Sequence, residues 1–262
     1  MHTASSAFLD ALSSAGVSYL FANFGSDHPA ILEALAVAAA EGRKVPEVVT
    51  CPAEMVALSA AQGFAQVTGR GQAVLVHVEC GTQSLGGAVH NVARGRVPVL
   101  IFAGASPFTQ EGELPGSRNE FIHWLQDVPD QRGLVRGYVK YENEVRTGRN
   151  IGQLVHRALQ IAHSDPRGPV YLVAPREVLA EQVPPAPIAP AEWAPVAPLA
   201  LPPDEVRGLV EAIAAARRPL VVTSYLGRNR DAPAALARLC NRLGIGVLDS
   251  APGHINFPTD DP

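Results

Sequence analysis

Three short stretches carry side chains suited to proton transfer or close ligand contact. They are Phe24-Gly25-Ser26-Asp27-His28-Pro29, Thr50-Cys51-Pro52-Ala53-Glu54 and His77-Val78-Glu79-Cys80-Gly81-Thr82-Gln83. A histidine exchanges protons near neutral pH. A carboxylate in a low-dielectric surrounding acts strongly on a neighbouring ring or proton. A glycine lets backbone approach a flat ligand. Each residue also has a plainer reading. Glu54 opens an otherwise apolar helical run, where a first-turn carboxylate gains from the helix dipole. His77 fits a structural histidine near a strand end, and His28 a solvated turn. Gly81 fits a simple strand-to-helix turn, and Thr82, Gln83 and Ser84 fit helix caps. The apolar neighbours Met55, Val56, Ala57, Leu58, Ala60 and Ala61 predict that the Glu54 segment is buried.

The elements that must hold these stretches alternate. Apolar β-type runs at 18–23, 47–51, 73–78, 97–103, 170–173, 220–223 and 246–248 are separated by helical patterns. The helical patterns lie at 5–15, 29–41, 53–68, 83–94, 151–163, 204–217 and 232–243. This alternation predicts an α/β fold, a mainly parallel sheet with helices on both faces. Several strands are apolar throughout, as strands covered on both faces should be. All three chemical stretches fall at C-terminal strand ends, where open α/β sheets form their ligand crevice. Gly69 is placed to close the helix over 53–68 in the left-handed conformation.

Residues 184–203 contain eight prolines in twenty positions. Such a segment favours an extended path and cannot enter a sheet interior. It predicts a first domain over 1–183 and a second α/β unit over 204–262. The second unit has too few strands to bury both faces of a sheet, so it reads as incomplete.

The 262 residues are 47% hydrophobic and 18% charged, with a formal net charge of −4. That composition supports a sizeable core and supplies no cationic excess for nucleic-acid phosphates. Three scattered cysteines form no metal-ligand or disulfide pattern and fit a reducing compartment. The first residues read as an amphipathic helix, not a signal peptide. No apolar run reaches the length of a membrane span. A cytoplasmic protein is expected. Phosphate-loop, zinc-protease and G-x-G-x-x-G motifs are absent, and Thr82-Gln83-Ser84-Leu85-Gly86 misses the nucleophile-elbow pattern. No metal ligand set is predicted. Cys51 and Cys80 flank the crevice without a partner group, and no reactivity is assigned to them.

Residues 51–70, CPAEMVALSAAQGFAQVTGR, resemble the segment of thiamine-diphosphate enzymes that holds their cofactor-activating glutamate. Residues 73–104 and 167–179 resemble later strands of the same first domain. The likeness to the acetolactate synthase, pyruvate oxidase and benzoylformate decarboxylase group runs in order over about 5–183. Residues from Asp204 resemble the start of the central domain. The resemblance implies that Glu54 hydrogen-bonds a ring nitrogen of the cofactor's aminopyrimidine. The favoured imino tautomer then takes the proton from the thiazolium carbon.

The resemblance also places Gly25, Ser26, Asp27, His28, Gly81, Thr82 and Ser84 at the cofactor, although Asp27-His28 departs from the usual turn. His77 matches the catalytic histidine of the HS-x-x-GT turn in benzoylformate decarboxylase. Acetolactate synthases lack it, so His77 leans the expected activity toward a decarboxylase or lyase on a small 2-oxo acid. Residues 107–146 are expected at a subunit interface or substrate entrance, since family members bind cofactor between two subunits. A homodimer or homotetramer follows, with neither nucleic acid nor membrane as partner. The family's Gly-Asp-Gly segment, which binds the diphosphate and Mg²⁺ in a later domain, is absent. These residues alone are therefore expected neither to hold thiamine diphosphate tightly nor to turn over. FAD is left open. The rival reading is a non-catalytic binding or regulatory module of the same fold.

Overall fold

The computed structural model describes residues 2–250 and 253–260. The chain divides into two compact units, Met1–Ala197 and Pro198–Pro262.

The first unit runs α1 (Ala4–Ser14), β1 (Tyr19–Ala22), α2 (Pro29–Ala40), β2 (Glu47–Thr50), α3 (Glu54–Thr68) and β3 (Gln72–Val76). It continues with α4 (Val78–Ser84), α5 (Gly86–Arg94), β4 (Val99–Ala105), α6 (Ile122–Leu125), β5 (Glu142–Glu144), α7 (Ile151–His163), β6 (Pro169–Pro175) and α8 (Arg176–Ala180). Its six strands are ordered β2-β1-β3-β4-β6-β5, and every neighbouring pair is parallel.

Period-two alternation sorts the apolar side chains onto two faces. Ala73, Leu75, Leu100, Phe102, Val170 and Leu172 pack against α1, α2, α7 and α8. Val74, Val76, Ile101, Ala103, Tyr171 and Val173 pack against α3 and α5. Both faces are thus dry, which explains why β3 and β6 are buried along their whole length. The strand order reverses between β1 and β3, because β2 was laid on the far side of β1. At such a switch point the flanking loops diverge and leave a crevice. The turn after β1 and the turn after β3 both open there.

Two details depart from the sequence reading. Helix begins at Val78, directly after β3, so Gly81, Thr82 and Ser84 lie within α4 rather than in an open turn. The single helix expected over 83–94 is instead α4 and α5, meeting at Leu85. Gly69 closes α3 at φ 74°, as its position predicts.

The second unit contains α9 (Pro203–Ala215), β7 (Leu220–Thr223), α10 (Ala232–Leu243) and β8 (Gly246–Asp249). Its two strands pair in parallel. Leu220, Val222 and Leu248 remain exposed. Among the described residues no helix is long and apolar enough to cross a membrane.

Candidate functional site

The turn after β1 is tied down by its own side chains. Gly25 N–H donates to His28 Nδ1 at 3.1 Å, and His28 N–H returns to Gly25 O at 3.1 Å. An imidazole nitrogen that accepts is unprotonated, so the His28 proton sits on Nε2. Pro29 opens α2 immediately afterwards, where a missing N–H costs little. This turn buries the side chains of both Asp27 and His28.

Asp27 reaches across to the neighbouring strand end. Its Oδ1 lies 2.5 Å from His77 Nδ1, and its Oδ2 accepts from Val78 N–H at 3.1 Å. His28 Nε2 stands 3.1 Å from Oδ2, at ion-pair distance but off the hydrogen-bond direction. Two glycines provide the space. A Cβ on Gly104, in β4, would fall 1.8 Å from Asp27 Oδ2. A Cβ on Gly25 would fall 2.1 Å from His77 Nδ1. Burial by itself would raise the Asp27 carboxyl, but the nearby His28 ring and then the His77 hydrogen bond and charge hold it well below the usual carboxylate range. Burial by itself would lower His77. The Asp27 hydrogen bond and charge, helped by the Glu79 charge, instead raise it above the ordinary histidine value.

Glu54 is the first residue of α3 and is half-buried. Its carboxylate lies over Gly81, where an added Cβ would stand 3.2 Å from Glu54 Oε1. Ala57, Leu58 and Ala61 face the core as expected, but Met55 and Val56 are exposed. Apolar composition alone does not separate a core face from a surface that another molecule covers.

The remaining expected contacts divide between interior and surface. Thr82 is buried; its hydroxyl lies 2.6 Å from Val78 O and 2.8 Å from Tyr171 Oη. Ser84 is exposed. Ser26 is half-buried, and its Oγ is inaccessible and without a hydrogen-bond partner.

Sequence reasoning missed Gly104 and Tyr171, and named Gln126 only as one member of the 107–146 region. Gln131 Nε2 donates to Gly104 O at 2.8 Å and to Tyr171 Oη at 2.9 Å, locking the β4 end to the loop after α6. Gln126, within the 107–146 region, is buried with both side-chain polar atoms unpartnered. Orphaned polar atoms of Ser26 and Gln126 are the kind of groups that a ligand satisfies. Around Gln126 the chain exposes Phe121, Trp124 and Leu125.

Residues 2–134 match the sequence profile of the family described as thiamine pyrophosphate enzyme, N-terminal TPP binding domain. The chain belongs to this family. The resemblance drawn from residues 51–70 and 73–104 lies within that span and holds, and the parallel sheet covered on both faces is the expected α/β fold. The chain is 26% identical over 209 residues to a probable 2-ketoarginine decarboxylase of Pseudomonas aeruginosa, covering 77% of this chain and 34% of that protein. It is 24% identical over 255 residues to an acetolactate synthase of Bacillus subtilis, covering 97% and 42%. A benzoylformate decarboxylase structure from Polynucleobacter necessarius superposes with TM-score 0.80 at 21% identity, over 100% of this chain and 46% of that one. This thiamine pyrophosphate enzyme chain thus spans less than half the length of the relatives it matches.

Proposed function

We propose that the protein carrying this chain is a thiamine-diphosphate-dependent enzyme that cleaves or forms a carbon–carbon bond of a 2-oxo acid. The observation that carries this reading is the Glu54 carboxylate set over Gly81 at the edge of the switch-point crevice. The residues present fit the cofactor's aminopyrimidine half. Glu54 supplies a charged acceptor at a helix N-terminus. Gly81 leaves the space beside it free of a side chain, and Ser26 Oγ is a buried polar atom still lacking a partner.

Thiamine diphosphate, when bound, supplies the electron sink for the cleaved carbon. This chain's own residues do the rest. Glu54 holds a proton relationship with the ring that requires a full negative charge. His77 exchanges a proton with the substrate side of the crevice. Gly25 serves the site indirectly, because the space that its missing side chain leaves is filled by the His77 ring. Asp27, His28 and Thr82 likewise act from beneath the surface, and Ser84 from the exposed end of α4.

The exposed Met55 and Val56, flanking Glu54, support a second subunit covering the cofactor in a homo-oligomer. Mg²⁺ and the diphosphate are held by residues outside 1–262, which lack the Gly-Asp-Gly segment. A cytoplasmic location fits cysteines that form no disulfide among the described residues.

The deciding experiment titrates the full protein with thiamine diphosphate and Mg²⁺. A carbon dioxide release screen then covers pyruvate, benzoylformate, longer 2-oxo acids and 2-oxo acids with a cationic tail. Saturable binding and release from one class is the expected result. No binding and no release would leave only the non-catalytic module.

A further inference from the structure

Asp27 is 1% exposed, whereas the His77 side chain is 18% exposed. The pair is therefore asymmetric: the carboxylate is sealed inside and one edge of the imidazole reaches the crevice. Every feature around the carboxylate orients that ring. Oδ1 meets Nδ1 at 2.5 Å, and Oδ2 takes the Val78 N–H at 3.1 Å. Gly104 leaves room for the carboxylate and Gly25 for the ring. Val78, next to His77, sits at φ 29°, a left-handed value costly for a β-branched residue. Strain of this kind persists only where surrounding bonds over-determine it, and it concentrates at functional sites. The Asp27–Val78 hydrogen bond holds it here.

We propose that Asp27 is the positioning residue of His77, fixing the imidazole with its proton on Nδ1 and leaving Nε2 as the nitrogen that exchanges protons in the crevice. The catalytic part of this inference rests on the function proposed above; the tautomer and the orientation do not. Nδ1–H donates to a carboxylate that itself stays ionised, so a neutral ring accepts at Nε2 and an imidazolium donates from it. The charged and titratable groups facing the ring are Asp27 and His28 from the turn after β1 and Glu79 from α4. Asp27 is the one in direct hydrogen bond.

Two measurements on the full protein test this. In wild-type protein labelled with ¹⁵N-histidine, with His77→Gln for assignment, two-bond ¹H–¹⁵N spectra above the ring's titration should show the proton on Nδ1. A proton on Nε2 overturns the proposal, and this readout needs no variant of Asp27 to fold. The second measurement follows diethyl pyrocarbonate acylation of His77 by peptide mass across pH. In Asp27→Asn the lost charge frees the neutral ring at lower pH, and acylation at pH 6 should rise by up to about tenfold. An unchanged acylation profile overturns the proposal. Failure of thiamine diphosphate binding or carbon dioxide release would sink the functional reading alone. Where the holoenzyme is active, Asp27→Asn should move the acid limb of the kcat/KM profile to lower pH. An unmoved limb counts against Asp27.

Discussion

Glu54 and Gly81 share one small volume: a Cβ on Gly81 would stand 3.2 Å from Glu54 Oε1 and 3.3 Å from Val76 Cβ. Gly81 lies inside α4, where alanine would ordinarily be favoured by up to about 1 kcal/mol. Gly81→Ala should therefore leave stability within about 1 kcal/mol of the parent, gain and crowding offsetting each other. The flexible carboxylate end gives way, since Val76 Cβ is fixed in β3. Thiamine diphosphate affinity should then fall while urea denaturation hardly changes. Equal affinity in the two proteins would show that Glu54 need not stand where it does.

Glu54→Gln keeps shape and removes charge. The helix N-terminus loses a favourable anion, worth about 0.3–1 kcal/mol, so the fold should survive. If Glu54 drives proton relocation on the aminopyrimidine, turnover should fall by at least about a hundredfold, in the range of lost acid–base catalysis. Cofactor titration and carbon dioxide release on the full protein measure both. Near-normal turnover would remove Glu54 from the chemistry.

Gly104 tests the Asp27 seat from a third strand. A Cβ there would fall 1.8 Å from Asp27 Oδ2 and 2.6 Å from Asp27 Cβ. No rotation of the carboxylate relieves the second contact. Gly104→Ala should destabilise the first unit by about 3 kcal/mol or more, through overpacking and disruption of a buried charged pair. In an Asp27→Gly background, which removes the Cβ as well as the carboxylate, the same substitution should cost much less. Denaturation of the four proteins completes a double-mutant cycle, and additivity would mean that the two residues do not compete for the space.

What the sequence revealed, and what it hid, follows from range. β3, β4 and β6 were legible because strands dry on both faces need only local apolar residues. β5 was not, because Glu142-Asn143-Glu144 is a short polar edge strand recognised only through its pairing with β6. The crevice residues near Glu54, His77 and Gly81 could be named from strand ends. Their orientations could not: the inward turn of Asp27 depends on Gly104 in β4, and the early start of α4 depends on Val78 held at an unusual φ. Exposure of Met55 and Val56 was equally hidden, because an apolar pattern does not say what it packs against.

His163 sets the acid stability of the first unit. Its ring lies close to Gly71, where an added Cβ would meet Nε2 at 2.8 Å. Burial, then the charges of Arg167 and Lys140, push its pKa down to about 4. The unfolded chain binds that proton near pH 6.5. Between about pH 6.5 and 4 the unfolded state therefore holds more protons, and stability rises with pH. Acidification across this window should cost up to about 3 kcal/mol from His163. His156, lowered by burial, acts in the same direction. His77 acts oppositely: its raised folded value makes a contribution that is present below about pH 6.5 and lost as pH rises through that value. Asp27 enters lower still, its contribution complete above about pH 4 and lost below. Urea denaturation of wild type and His163→Gln from pH 4 to 8 isolates the one histidine as the difference between curves. That difference should grow as pH falls from 6.5 and level off near 4. A difference independent of pH would mean that His163 is protonated in the folded protein as readily as in the unfolded chain.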